Sequence, residues 1–228
     1  ELCALQQSVV DEEKAARLPA VQIERGGECL LALTALAQYS KAWQALLLRG
    51  YMDQLGFAPP SKVQAEQILQ QLLDAKIDAN IEIKLADVVI KRFKGAGYFL
   101  AQSQEVTLAA VTVASIEELL ESGIGCNHGS LFAASLVAGA GVRLPQADET
   151  VTIEFALPGS TRCQPDNRNK GRELKKLWQE FAVPPWLRGK VPLLCYNGNL
   201  VCAIGYWNEK AYLCDEKETG INFKRLSR

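Results

Sequence analysis

Arg172, Lys175 and Lys176 are the residues of this sequence whose type and spacing best suit a binding task. The sequence predicts a helix over Gly171–Phe181, because an apolar residue recurs there every three or four positions. The members of this apolar stripe are Leu174, Leu177, Trp178 and Phe181. At about 100° per residue, the cations lie on the opposite face of the helix. Cations on a rigid, exposed face suit the phosphates of a polyanion, although an ordinary amphipathic helix also carries a solvated charged face.

The sequence around this helix carries an excess of positive charge. Within Arg162–Lys190, which we call the basic segment, 8 residues are Lys or Arg and 3 are Asp or Glu. Pro184-Pro185 ends the helical pattern, because proline lacks the backbone N–H that a helix interior needs. Arg188 and Lys190 follow the prolines. A local basic block of this kind is typical of a surface that binds a polyanion.

The whole chain is nearly neutral, so the positive charge is a local property. Residues 151–228 carry 13 Lys and Arg against 8 Asp and Glu, whereas residues 1–150 carry 12 against 18. Of the 228 residues, 48% are hydrophobic and 22% are charged, as in an ordinary soluble globular protein. No apolar run approaches the ~20 residues that span a bilayer, so we expect no membrane segment. The start at Glu1 in a helical pattern, without a secretory leader, suggests a piece of a longer protein.

The cysteines and the single histidine indicate neither a metal site nor a catalytic site. The 7 cysteines are scattered without a Cys-x-x-Cys pair, which argues against zinc and a disulfide framework and favours a reducing compartment. With His128 as the only histidine, a His-based triad is nearly excluded. Cys126-Asn127-His128 could form a thiol–imidazole pair, but we interpret Gly123–Gly129 as a glycine-rich loop. Phosphate-binding glycine motifs are also absent, so the sequence predicts no catalytic residue and no metal.

The first part of the chain predicts helices followed by a small antiparallel meander. Helical patterns cover Glu1–Leu18 and Lys41–Leu55, the second with Ser40 as its N-cap. A third helix begins after Ser61, which stands at capping-box spacing from Gln64. The apolar period then changes from about 3.6 to 2, which predicts strands and a hairpin at a glycine pair. These strands cover Ile81–Leu85, Val88–Phe93 and Tyr98–Leu100.

A polar stretch at Gln102–Gln104 separates this part from a second one. We therefore expect two domains, at residues 1–102 and 103–228. In the second domain, clean alternation predicts a strand over Val151–Leu157, and Asn197-Gly198 marks a hairpin turn. The predicted fold class is α+β, with a helical domain and its meander followed by a mixed sheet domain with one packed amphipathic helix.

The basic segment and the residues after it resemble a known family. They follow the pattern R-x-L-K-K-[LIF]-[FW]-Q-E-x-x-[IV]-P-P-W-x-R-x-x-x-P-L. The residues that match are Arg172–Glu180, Val183–Arg188 and Val191–Leu194. This stretch resembles the C-terminal domain of bacterial tRNA(Ile)-lysidine synthetase, and the match is dense. Leu48-Arg49, Tyr51, Pro60-Ser61 and the meander resemble the family's middle, substrate-recognition domain, so the resemblance covers nearly the whole chain.

Two positions depart from the family pattern. Trp43-Gln44 stands where many members carry an arginine pair upstream of the position matched by Arg49. The strand that contains Phe155 lacks the basic residue often found just after that phenylalanine. Both differences concern contacts that the family's middle domain makes with tRNA.

The resemblance implies an activity for the whole protein. Such enzymes use ATP to adenylate the wobble cytidine of a minor isoleucine tRNA. Free lysine then displaces AMP, which changes the codon and amino-acid specificity of the tRNA. In the family this chemistry belongs to an N-terminal PP-loop domain with a Ser-Gly-Gly-x-Asp-Ser loop, which this sequence lacks. The implication is an ATP-dependent ligase of the cytoplasm that modifies tRNA, with ATP and lysine bound by the missing domain and no cofactor in this chain.

For the chain itself, the resemblance implies recognition of tRNA(Ile). The middle domain would face the tRNA body and anticodon arm, and the C-terminal domain would face the acceptor stem. The implied tRNA-binding residues are Arg172, Lys175, Lys176, Arg188, Lys190 and Arg49. No membrane partner is expected, and a homodimer stays open. The alternative is a free-standing protein-interaction module that is related to the family in fold only.

Overall fold

The computed structural model describes residues 2–76, 79, 81–102, 108–122, 125–126 and 129–226. Contacts between Cα atoms divide the chain into two units. One consists of Glu1–Arg25 with Cys29–Gln104, and the other of Gly26–Glu28 with Glu105–Arg228. Most of the stretch Gln102–Gln104, where the sequence places a boundary, lies outside the described residues. The domain limits therefore stay a prediction.

The first unit combines helices with a five-stranded sheet. Its helices are α1 (Leu2–Arg17), α2 (Leu33–Leu36), α3 (Lys41–Gln54) and α4 (Lys62–Asp74), with a 3-10 turn at Leu18–Val21. Its strands are β1 (Gln22–Arg25), β2 (Glu28–Ala32), β3 (Glu82–Lys84), β4 (Val88–Phe93) and β5 (Ala96–Ala101). The sheet order is β1-β2-β5-β4-β3, and β3, β4 and β5 pair antiparallel. The predicted meander is therefore confirmed, as part of a larger sheet.

The two first strands of this sheet are absent from the sequence prediction, which assigns no strand before the meander. β2 pairs antiparallel with β5, with Leu31 opposite Gly97. This pairing joins residues that are far apart in the sequence. In addition, β1 and β2 are too short for a hydrophobic period to identify them as strands.

The helix starts of the first unit follow from local sequence. The hydroxyl of Ser40 accepts a hydrogen bond from the backbone N–H of Trp43 at 3.5 Å. Ser61 and Gln64 form the predicted capping box, with N–O distances of 3.3 and 2.9 Å. Behind these caps, α3 and α4 bury an apolar face against the sheet. The fully or nearly fully buried side chains of this core include Leu47, Leu48, Tyr51, Ile68, Leu72, Val88 and Ile90.

The second unit is richer in strands. Its helices are α5 (Ile116–Ser122), α6 (Leu174–Glu180) and α7 (Pro185–Arg188), with a 3-10 turn at Lys210–Tyr212. Its first strands are β6 (Val111–Val113), β7 (Gly125–Cys126), β8 (Gly129–Ser130), β9 (Phe132–Ala138), β10 (Val142–Arg143) and β11 (Val151–Glu154). The later ones are β12 (Arg162–Cys163), β13 (Arg172–Glu173), β14 (Leu193–Tyr196), β15 (Asn199–Ala203), β16 (Trp207–Asn208) and β17 (Thr219–Arg225). With helices and sheets in both units, the predicted α+β class is confirmed.

A five-stranded sheet of order β16-β15-β14-β11-β6 forms the centre of the second unit. The predicted strand in Val151–Leu157 is present as β11, which pairs with β14 and β6. The predicted hairpin turn joins β14 to β15, and Asn197 and Gly198 adopt φ angles of 50° and 77° there. Such left-handed angles are easiest for Asn and Gly, which is why this dipeptide marks two-residue hairpin turns.

The same unit contains a three-stranded sheet, β10-β17-β9, that the sequence does not predict. The sequence shows only a short tail over Gly220–Arg228, but β17 lies between the other two strands. Gly220 fits this central place because a Cβ there would lie 2.2 Å from the carbonyl oxygen of Ala140. The predicted loop Gly123–Gly129 is also partly wrong, because β7 and β8 pair within it. Asn127 and His128 lie outside the described residues.

Arg143 connects β10 to the chain before β11. Its guanidinium donates two hydrogen bonds to the Glu149 carboxylate, at 2.7 and 2.6 Å. It also lies 5.3 and 5.2 Å from the ring centroids of Tyr196 and Tyr212. The hydrogen bond from Arg143 holds the pKa of Glu149 below its ordinary value. This arginine therefore stabilises the fold of the unit.

Of the helices in the described ranges, none has both the length and the apolar character needed to span a bilayer.

Candidate nucleic-acid interface

Helix α6 is anchored by the predicted apolar stripe. Leu174, Leu177 and Trp178 are 1%, 0% and 6% exposed. The ring of Trp178 lies 5.2 Å from that of Trp207, and Phe181 stacks on Trp207 at 4.9 Å. The apolar face thus packs on the end of the five-stranded sheet. It leaves Lys175 and Lys176 exposed on the other side of the helix.

The helix is shorter than predicted, and Arg172 does not belong to it. Arg172 lies in β13, opposite Cys163 of β12, and α6 begins two residues later. The backbone N–H groups of Leu174 and Lys175 donate to the carbonyl oxygens of Thr161 and Gly159, at 2.9 and 3.0 Å. The prediction that the helix carries Arg172 beside the two lysines is therefore wrong. Periodicity along one segment cannot reveal that its first residues pair with another strand.

Four cations of the basic segment form ion pairs with two glutamates. Lys175 Nζ and Lys176 Nζ lie 3.5 and 3.1 Å from Oε2 of Glu173. Arg172 Nε lies 2.7 Å from Oε1 of Glu180, and Arg168 donates to Oε2 of the same glutamate. The pKa of Glu173 is lowered by the hydrogen bond from Lys176 and by the charge of Lys175. The surface consequently has fewer free cations than the sequence suggests.

Arg188 and Lys190 differ in their exposure. Arg188 ends α7, and its Nε donates to the carbonyl oxygen of Val183 at 3.2 Å. Partial burial lowers the pKa of its guanidinium from the ordinary value. Lys190 is exposed, and its backbone N–H donates to Leu187 at 2.9 Å. Lys190 is thus the better placed of the two for a soluble ligand.

The structure also exposes two cations that the sequence prediction of site residues omits. Arg162 lies in β12, and Lys170 lies in the loop between β12 and β13; both are exposed. Within the described part of the chain, no carboxylate lies within ion-pairing distance of Arg162, Lys170 or Lys190. The local charge count over the basic segment was the signal that could have found them.

A buried carboxylate holds the loop between β12 and β13. Glu209 is 7% exposed, and it accepts hydrogen bonds from the backbone N–H of Gln164 at 2.5 Å and from Nε1 of Trp207 at 2.8 Å. The backbone N–H of Asp166 donates to Asn208 at 2.9 Å. Burial raises the pKa of Glu209 above its ordinary value. These contacts fix the start of the loop that carries Arg168 and Lys170.

Arg49 belongs to the first unit, whereas the other predicted site residues belong to the second. It is half-buried in α3, and its guanidinium donates to the carbonyl oxygen of Pro60. Trp43 and Gln44 are also engaged: Arg17 lies 4.2 Å from the Trp43 ring, and the Gln44 side chain donates to the carbonyl oxygen of Tyr39. These side chains stabilise the helical part of the unit.

A groove lies between α3 and α4 in the first unit. It has a volume of about 630 Å³ and an apolar floor that includes Leu69 and Leu73, with Lys41 and Lys62 at its rim. Across the part of the chain that the structure describes, no group of three or more His, Cys, Asp or Glu residues could hold a metal ion.

Two protein-family models match this chain, one in each unit. The TilS substrate binding domain matches residues 31–98, and the TilS substrate C-terminal domain matches residues 151–226. The chain carries both of these TilS family domains. The second match contains the whole basic segment, including the pattern on which the sequence resemblance rests.

Curated relatives agree with these matches. The tRNA(Ile)-lysidine synthase of Shewanella woodyi is 45% identical over 97% of this chain, and that of Shewanella oneidensis is 41% identical over 98%. The protein of the same name from Escherichia coli O157:H7 is 32% identical over 97% of the chain. The alignments cover 49%, 50% and 49% of these relatives. The chain therefore spans about half the length of the curated relatives it matches.

Proposed function

We propose that this chain is the tRNA-recognition part of a tRNA(Ile)-lysidine synthase. The observation that carries the proposal is the presence of both TilS domains, in order, along one chain. The whole enzyme uses ATP to join lysine to the wobble cytidine of a minor isoleucine tRNA in the cytoplasm. An N-terminal PP-loop domain binds ATP and lysine, and the present chain supplies no catalytic residue and no cofactor site.

In this proposal, residues 1–102 form the middle domain, which faces the body and anticodon arm of the tRNA. Residues 103–228 form the C-terminal domain, which faces the acceptor stem. Double-helical RNA is recognised mainly through its shape, its phosphates and its 2′-hydroxyl groups. A surface of exposed cations on anchored backbone suits that task, and the basic segment is such a surface.

The exposed cations of the basic segment contact phosphates. Lys175 and Lys176 project from a helix whose other face is buried, and Lys190 follows α7. We add Arg162 and Lys170, which are exposed without a carboxylate partner among the described residues. Arg172, Arg188 and Arg49 contribute less directly. Arg188 and Arg49 donate to backbone carbonyl oxygens, and Nε of Arg172 is buried beside Glu180.

A titration of the chain with minor isoleucine tRNA and with an unrelated tRNA tests the proposal. We expect the isoleucine tRNA to bind more tightly, and both affinities to fall as salt is raised, because phosphate contacts release counterions. Failure to bind either RNA would contradict the proposal and favour the protein-interaction module. Formation of AMP from ATP, lysine and tRNA by this chain alone would contradict the assignment of the chemistry to another domain.

A further inference from the structure

The two glutamates of the basic segment have no role in the function proposed so far. Each of them forms ion pairs with two cations: Glu173 with Lys175 and Lys176, and Glu180 with Arg168 and Arg172. An RNA phosphate that approaches any of these four cations therefore meets a site that already holds an anion.

The pairing at Glu180 has the form of a bound anion. One carboxylate oxygen lies 2.7 Å from the buried Nε of Arg172, and the other accepts a hydrogen bond from Arg168, so each oxygen lies next to one guanidinium group. A phosphate presents two anionic oxygens to arginine in the same way. A surface hollow of about 230 Å³, lined by Asn167, Arg168, Glu180 and Phe181, adjoins the pair. A phosphate can thus reach Arg168, which lines this hollow, from solvent.

The glutamates are also exposed enough for another anion to replace their carboxylates at these cations. About 27% of the Glu173 side chain and 34% of the Glu180 side chain are exposed, so either can turn into water when its cations find another anion. Exposed ion pairs are weak, and breaking them costs little. The two glutamates therefore orient the four cations, but another anion can displace them.

We propose that Glu173 and Glu180 are intramolecular competitors of RNA phosphate, which RNA displaces from these cations when it binds. The inference rests on the proposed function. The competition lowers the affinity for every RNA by a similar factor, because phosphate contacts carry no sequence information. It therefore limits unspecific retention of RNA and leaves discrimination to contacts elsewhere on the chain.

The test uses the full chain with Glu173→Gln, Glu180→Gln and both together, since glutamine keeps the size of the side chain and removes its charge. Dissociation constants are measured for minor isoleucine tRNA and an unrelated tRNA at several salt concentrations. Each substitution is expected to tighten binding of both RNAs about two- to fivefold, the range that exposed ion pairs support. The logarithm of affinity should also fall more steeply with the logarithm of salt, by up to about 0.7–0.9 for each phosphate that is newly bound.

Glu216→Gln is the matched control, because Glu216 is exposed and lies outside the basic segment. If it tightens binding as much, the effect is one of net charge and the inference is wrong. Unchanged or weaker binding by the glutamine variants also overturns it, while the proposed function survives if the unsubstituted chain binds. Absence of binding by the unsubstituted chain contradicts the proposed function itself. Thermal midpoints identify a variant that fails to fold. If Glu180→Gln or the double variant fails, the comparison of Glu173→Gln with the unsubstituted chain decides.

Discussion

At the scale of residues, Lys175 and Lys176 give the most direct test of the basic segment. Their side chains are 58% and 51% exposed, and they contact only Glu173 among the ion pairs of the described residues. Lys175→Glu with Lys176→Glu should lower stability by no more than about 1–2 kcal/mol, because it removes two exposed ion pairs with Glu173. The double variant should bind tRNA more weakly, with a salt slope reduced by roughly 0.7–0.9 for each phosphate that the protein no longer neutralises. Fluorescence titration at several salt concentrations measures both quantities.

Leu177→Ala is the contrasting change on the buried face of the same helix. Leu177 is 0% exposed, so the substitution should leave a cavity and lower the free energy of unfolding by about 2–5 kcal/mol. Below its unfolding temperature, this variant should still bind tRNA with an unchanged salt slope. If the charge reversal leaves affinity and slope as they were, Lys175 and Lys176 form only a solvated face.

The ion pair between Glu149 and Arg143 predicts how the stability of the folded state depends on pH. The hydrogen bond from Arg143 lowers the pKa of Glu149 below its ordinary value of 4.5, so the carboxylate stabilises the folded state when it is ionised. That stability is present above pH 4.5 and is lost as the pH falls through the lower, folded-state pKa. Glu149→Gln should therefore reduce the thermal midpoint at pH 7 and flatten its fall between neutral and acidic pH. The control Glu216→Gln should keep the steep fall, and an equally steep fall in Glu149→Gln would contradict the prediction.

At the scale of elements, the end of α6 depends on a strained residue. Ala182 has a φ of 54°, and the next residue, Val183, donates its backbone N–H to the carbonyl oxygen of Trp178 at 2.8 Å. This arrangement closes the helix in the way that glycine usually allows, but an L-residue with a side chain is strained there. Ala182→Gly should raise the free energy of unfolding by up to about 1 kcal/mol.

Chemical denaturation of the purified chain measures that gain. Ala182→Val is the opposing control, because a β-branched residue is a still poorer choice at a positive φ and should lower stability. A glycine variant that is less stable than the original chain would show that the helix does not end in this conformation.

Elements defined by neighbouring residues could be predicted from the sequence. Ser61 and Gln64 mark the start of α4 because both partners of the capping box lie within one turn. Asn197-Gly198 marks the β14–β15 turn because its backbone angles favour those residue types. Strand pairing over a long distance could not be predicted, since no local pattern states which segment lies beside β2 or β9. The sequence prediction places Arg172 on a helix rather than in β13 for a different reason, because the apolar period of its own segment does not show that it pairs with β12.

The candidate site was predictable as a segment and less so as a set of side chains. A count of charges locates the basic segment, and the apolar stripe correctly orients Lys175 and Lys176. Neither the charge count nor the stripe could show that the Arg188 guanidinium binds a backbone carbonyl oxygen. They also could not show that Glu209, far along the chain, would anchor the loop that carries Lys170. Such roles depend on tertiary contacts, which composition does not encode.

At the scale of the whole molecule, each unit has its own apolar core. Leu72 lies in the first core and Ile153 in the second, each with 0% exposure. Leu72→Ala should destabilise the first unit by about 2–5 kcal/mol and leave the amides of the second protected from hydrogen exchange. Ile153→Ala should do the reverse. Hydrogen exchange by mass spectrometry measures the two sets of amides separately, and loss of protection throughout the chain in both variants would contradict separate domains.

The central position of β17 has a consequence for how the second unit reaches its folded state. β17 pairs with β9 over seven residues, from Ala138 opposite Thr219 to Phe132 opposite Arg225, although a long stretch of chain separates them. Closing such a loop costs entropy before any contact compensates for it, and a high contact order slows folding. Until β17 arrives, β9 and β10 have no common neighbour and expose backbone groups that other chains can pair with. Aggregation during refolding should therefore begin at this sheet, and dilution should relieve it.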